Sequence, residues 1–100
     1  MPWYLVYKGK GRARNGKLYS RTYVKKLRGI RGKPKIVEVL HDRKTDHTLV
    51  TIAYSKPHKY RGGSVHKRTY LKTVVIGQRV TRKSIRLTQH PPAGPKIDRR

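Results

Sequence analysis

The sequence predicts a mainly β protein: a small antiparallel sheet, or a barrel of five to six strands, with long basic loops and an extended C-terminal tail. Two observations carry this expectation. Val and Ile outnumber Leu fifteen to seven, and β-branched side chains suit a pleated, half-buried surface. Short apolar runs also alternate with turn residues at hairpin spacing along the chain. One hundred residues bound the chain to one ordinary domain. Leu, Ile and Val together number 22, and there is no Phe. That allows a modest core, just above the level at which disorder becomes the default.

Trp3-Tyr-Leu-Val-Tyr7 has strand character, and Asn15-Gly16 after it is a strong hairpin signal. A two-residue type I′ turn there pairs Ala13 with Leu18, Tyr7 with Val24 and Leu5 with Lys26. The period-two rule then sorts the faces. Trp3, Leu5, Tyr7, Gly9, Gly11, Ala13, Leu18, Ser20, Thr22 and Val24 make the core side. Lys8, Lys10, Arg12, Arg14, Tyr19, Arg21, Tyr23 and Lys25 make the other, where cations alternate with rings that can stack on bases. Tyr19, Tyr23 and Leu27 also fall at helical spacing, so a short helix over 18–28 is the competing reading. The hairpin is preferred because Asn-Gly supplies a mechanism.

Residues 28–34 read as a loop with three cations, Arg28, Arg31 and Lys33. A second hairpin follows, Lys35–His41 and Thr48–Tyr54, with Val37, Val39, Val50 and Ile52 sharing a core face. Residues 55–68 read as a long basic loop, too polar to pack and too long for an ordinary connection. Thr69–Ile76 is a fifth strand, and 78–88 is either a sixth strand or a short basic helix. The expected organisation is one β-rich domain over 1–88, an SH3-like or OB-like barrel being one form of it. A Pro/Arg tail over 89–100 is expected to follow an extended path with no fold of its own.

Charge narrows the function classes. Lys and Arg number 27 against four acids, a formal charge of +23. Residues 1–37 hold twelve cations and no carboxylate, and residues 47–97 hold eleven and none. Self-repulsion on this scale opposes folding, and a phosphate-rich partner offsets it. Three acids, Glu38, Asp42 and Asp46, cluster in one short segment, expected to face away from that partner. With no cysteine, disulfides and thiolate zinc sites are excluded. No apolar run approaches the length of a membrane span.

Catalytic chemistry finds few candidates. His41-Asp42 and Asp46-His47 flank one exposed turn, a poor setting for the three or four convergent ligands a metal site needs. A nuclease needs several carboxylates for its metal ions, and these are scarce. No nucleophile elbow or P-loop is present. The expectation is therefore no enzyme, no metal, no cofactor and no small-molecule substrate. Trp3 reads as a core residue.

The stretches Tyr7–Arg14, Arg28–Lys35, His58–Arg68 and Pro91–Lys96 resemble those of small basic ribosomal proteins of archaeal and eukaryotic type, which lack acids wherever they touch rRNA. The resemblance covers the chain in style and not in motif. It implies a structural constituent of the cytoplasmic ribosome, of the large subunit and of a lineage-restricted archaeal kind, with rRNA and neighbouring ribosomal proteins as partners. The residues expected to meet rRNA fall in five groups. Lys8, Lys10, Arg12, Arg14, Tyr19, Arg21 and Tyr23 lie on the first hairpin, and Arg28, Arg31 and Lys33 in the loop after it. His58, Lys59, Tyr60, Arg61, His66, Lys67 and Arg68 lie in the long basic loop. Arg82 and Lys83 follow the fifth strand, and Arg99 and Arg100 end the tail. Tyr54 and Tyr70 are further candidates for stacking. An architectural double-stranded DNA-binding protein of chromatin type is the alternative, since such modules are also small, basic and rich in β-structure.

Overall fold

The computed structural model describes residues 2–94 and the backbone of 96 and 97. The chain forms β1 (Trp3–Arg12), β2 (Leu18–Leu27), β3 (Lys35–Asp42), β4 (His47–Lys59), β5 (Val65–Ile76) and β6 (Ile85–Thr88). A two-residue β7 (Lys96–Ile97) and a single 3-10 turn over Arg82–Ser84 complete it. The mainly β class is as expected. The strands divide into two sheets, β6-β1-β2-β7 and β3-β4-β5, which are not closed into a barrel. Residues 18–28 are strand through Leu27, and 78–88 split between the 3-10 turn and β6.

The inner faces of the two sheets pack together. Leu5, Tyr7, Leu27 and Ile85 meet Val50, Ile52, Val74 and Ile76, and Ile30 and Val80 from the inter-sheet links close the ends. Thr48 is the one buried polar side chain among the described residues. Its hydroxyl donates to the Gln78 carbonyl (2.8 Å) and accepts from the Val80 N–H (2.9 Å). It thereby satisfies two backbone groups that would otherwise be stranded beside the core. Thr48→Val, nearly isosteric, is expected to lower stability by about 1–3 kcal/mol, measurable by urea unfolding, because both backbone groups lose their partner.

The first hairpin forms in a register one residue away from the expected one. Tyr7 faces Tyr23 and Leu5 faces Lys25. A type I′ turn needs positive φ at both central residues, but only Gly16 has it (φ 84). The Gly16 N–H donates to the Ala13 carbonyl, and the Ala13 N–H to the Lys17 carbonyl, each at 2.9 Å. This is a three-residue loop, with glycine in the left-handed position after a type I turn. The Asn15 side chain fixes it by accepting the Lys17 N–H at 3.1 Å. A slip of one residue exchanges every face of the incoming strand. Tyr19, Arg21 and Tyr23 therefore share a face with Tyr7, Gly9 and Gly11, whereas Leu18, Ser20, Thr22 and Val24 join Lys8, Lys10 and Arg12.

Val6 and Val24 pair on that outer face and are still buried. The tail supplies the cover. β6 and β7 lie on opposite edges of one sheet, so the link between them crosses it, and Pro92 lines a hollow with Val6, Lys8 and Thr22. The tail is thus partly ordered, with β7 pairing parallel to β2 at Tyr23 and Val24.

In the second sheet a β-bulge interrupts the register between Ile36 and Glu38. It turns Val37 outward (47% exposed) and sets Ile36 beside Val39 against the core. Val37 is therefore not a core residue, because the extra residue in a bulge shifts the alternation.

Candidate nucleic-acid interface

β4 pairs with β3 only as far as Ala53. Beyond that point β4 and β5 continue alone as a two-stranded ribbon, paired from Tyr54–Tyr70 to Lys59–Val65. The expected loop over 55–68 is therefore an arm built almost wholly of strand, turning only at residues 60–64. Pro57 and the paired glycines give the sequence its loop-like look. Pro57 lies past the last residue that β3 covers, on the open-edged stretch where a sheet tolerates proline. Gly62 and Gly63 serve the turn. The Gly63 N–H donates to the Tyr60 carbonyl (3.1 Å) and the Tyr60 N–H to the Ser64 carbonyl (2.8 Å). Both glycines have positive φ, which side chains rarely adopt.

Cross-strand pairing places Tyr54, Lys56 and His58 on one face of the arm with Tyr70, Arg68 and His66. Their rings and cations form a continuous ladder. Tyr54 stacks on Tyr70, with centroids 5.8 Å apart. The Lys56 ammonium lies 4.7 Å from the Tyr70 ring centre and the Arg68 guanidinium 5.5 Å from it, within cation–π range. The Tyr70 hydroxyl and His58 Nδ1 share a hydrogen bond of 3.1 Å. Toward the tip, Tyr60 meets the edge of His58 at 4.7 Å and lies 5.8 Å from His66. Tyr54 and Tyr70 thus engage each other, while Tyr60, 42% exposed, is the ring presented at the end. Lys59, Arg61 and Lys67 are exposed around it. Lys56 belongs to this ladder, and the sequence reading missed it. The alternation Tyr54-x-Lys56-x-His58-x-Tyr60 was the available signal, obscured by Pro57.

The first hairpin carries a second cluster. The Arg21 Nη1 donates to the Tyr19 hydroxyl at 2.8 Å, and its guanidinium sits 6.0 Å from that ring's centre. Tyr23 stacks on Tyr7 at 5.3 Å and donates its hydroxyl proton to the Lys10 carbonyl at 3.3 Å. Gly11 lies beneath these rings, and a Cβ there would come within 3.0 Å of Tyr19. Lys8, Lys10 and Arg12 project from the opposite face, and Arg14 lies in the turn. The expected single face of interleaved cations and tyrosines is therefore two faces. The rings gather with Arg21 on one side and the lysines stand on the other, because the three-residue turn changed the register.

The remaining expected contacts are dispersed. Arg28 and Arg31 border a hollow of about 630 Å³ that Trp3 also lines. Lys33 is exposed in the same connection. Lys83, from the 3-10 turn, shares the Pro92 hollow with Lys8, and Arg82 is exposed beside it. Arg99 and Arg100 lie outside the described residues. Lys72, at the root of the arm, donates to the Arg28 carbonyl at 2.9 Å and so ties the first connection to the second sheet.

Asp42 and Asp46 lie at the end of β4 remote from the arm's tip. Asp46 bonds His41 Nε2 at 2.6 Å. The Thr45 hydroxyl, then the Lys44 N–H, donate to the Asp42 carboxylate and hold its pKa below the ordinary value. A lowered pKa in the folded state stabilises the turn above the ordinary carboxylate range. That contribution is lost as pH falls through the lowered pKa. No group of three or more metal-ligating side chains occurs among the described residues. No helix among them is long and apolar enough to cross a membrane.

The arm is thus a ribbon whose surface offers exposed cations and two exposed rings, Tyr60 and His66, with no carboxylate anywhere in residues 47–97 to neutralise it. Such a surface suits a polyanion with accessible bases. Comparison with known proteins finds no matching family, no matching curated protein and no matching solved structure.

Proposed function

We propose that this chain is a structural, non-catalytic RNA-binding protein of the cytoplasmic ribosome, most at home in the large subunit, where it braces rRNA beside neighbouring ribosomal proteins. The observation that carries this reading is the β4–β5 arm, a basic ribbon extending beyond the core. Folded RNA offers clefts between phosphate backbones that a ribbon can enter. Lys and Arg neutralise phosphates and release counterions. Arg61 and Arg68 can each brace an anion through a planar fork, where Lys59 and Lys67 offer point charges. Tyr60 at the tip is free to stack on an unpaired base.

One feature favours a second reading. A two-stranded ribbon also fits the major groove of B-form DNA, so an architectural DNA-binding role competes with the ribosomal one. Sucrose-gradient sedimentation of a native lysate separates them. Co-migration with the large ribosomal subunit that survives a high-salt wash is the expected result. Loss on washing would indicate a bound factor, and recovery only with nucleoid DNA would overturn the ribosomal reading.

A further inference from the structure

We infer that the chain is a two-ended brace, which holds two separate RNA segments at once, one at the tip of each long hairpin. The inference rests on the RNA-binding reading and adds to it the number and placement of the sites.

The two hairpins point in opposite directions. Where β4 begins, Thr48 bonds Gln78, and the Gln78 side chain lies against Gly9 and accepts the Lys10 N–H at 2.7 Å. Further along, toward the arm, Lys72 reaches the Arg28 carbonyl and the Ser55 carbonyl approaches Gly32. Travel from Thr48 to Ser55 leads toward the tip of the arm. On the other sheet, the same travel runs from Gly9 back through Trp3 and its partner Leu27 to Arg28, away from the first hairpin's tip. The tips therefore lie at opposite ends of a molecule measuring 62 × 32 × 21 Å.

Each end carries the same equipment. At one, Tyr19 is 38% exposed and is held by Arg21 over the Gly11 backbone. At the other, Tyr60 is set between His58 and His66 with Arg61 beside it. At about 3.3 Å per strand residue, the two rings lie on the order of 45 Å apart along the axis. That exceeds one turn of a nucleic-acid duplex, about 34–36 Å. A short duplex cannot reach both ends, so each end engages its own.

The test uses the full chain with RNA stem-loops of about eight base pairs, at most about 27 Å long at 3.4 Å per step. Half carry a donor fluorophore and half an acceptor. Mass is followed by analytical ultracentrifugation. The expected result is two stem-loops on one chain, with energy transfer between them. Y19A/R21A and Y60A/R61A alter side chains outside the core; with folding checked by far-UV circular dichroism, each should bind a single stem-loop. Affinity at the altered end should fall about tenfold or more, and transfer should be lost in both variants. One stem-loop per wild-type chain without transfer would overturn the brace while leaving RNA binding intact. So would undiminished bridging by either variant, or a complex of two chains with one RNA each. No binding of RNA at all would overturn the ribosomal reading as well.

Discussion

Replacing Lys56, Lys59, Arg61, Lys67 and Arg68 together by glutamine is expected to lower affinity for structured RNA on the order of 10³-fold near 0.1 M salt. It should also flatten the plot of log K against log salt by about 3.5–4.5, since each phosphate contact contributes about 0.7–0.9 to the slope. Glutamine retains a polar stem, and the four side chains other than Lys56 are exposed on the arm, so the core should fold unchanged. The size of the effect follows from crowding five cations onto one short ribbon that has no acid to bind them internally. Filter binding across a salt series measures both quantities. An unchanged slope would mean that the phosphates lie against other parts of the chain, and would remove the arm from the interface.

The largest effect on stability is expected at Ile52. Its side chain is fully buried, 0% exposed, at the centre of β4, opposite Ile36 on one neighbour and Lys72 on the other. Ile52→Ala removes apolar contacts from both sheets and leaves a cavity, at a cost of about 2–5 kcal/mol. For a domain of this size that corresponds to a fall in Tm of roughly 10–30 °C. A domain of this length is held by only about 5–15 kcal/mol, and uncompensated positive charge pushes this one toward the lower end. The variant should therefore be largely unfolded at physiological temperature without a partner. Val75→Ala, on the outer face of the same sheet and 41% exposed, should change stability by about 0.5 kcal/mol or less. RNA at a hundred times its Kd should restore about 2.7 kcal/mol to Ile52→Ala if only the folded chain binds. Thermal scans with and without RNA measure all three. An equal fall in Tm for both substitutions would show that the two sheets do not share the core described above.

The two clusters differ in how readable they were. Lys59, Tyr60, Arg61, Lys67 and Arg68 could be found from charge alone, because no acid lies among them. That they stand on a two-stranded ribbon could not, since Pro57 and Gly62-Gly63 are loop residues by every local rule. Pro57 is tolerated because the pairing of β3 with β4 ends at Lys35, opposite Ala53, and the length of a neighbouring strand is not a local property. At the first hairpin the strands and their turn were legible, but the faces were not. Whether Asn15-Gly16 forms a two-residue or a three-residue turn depends on one backbone angle at Asn15, and that choice decides which side Tyr19 and Tyr23 occupy.

By itself the sequence determined the chemistry of this protein. The excess of Val and Ile gave it strands, the absence of cysteine denied it staples, and the excess of 27 cations over four acids gave it a strongly positive surface. These properties are sums over residues and do not depend on how the strands meet. The tertiary structure decided where that chemistry is presented. The division into two sheets, the bulge at Val37, the crossing of the tail over Val6 and Val24, and the opposed directions of the hairpins all arise from long-range pairing. Register and packing settle such features at sites distant in sequence, where a shift of one residue reverses a face and no local pattern records the outcome.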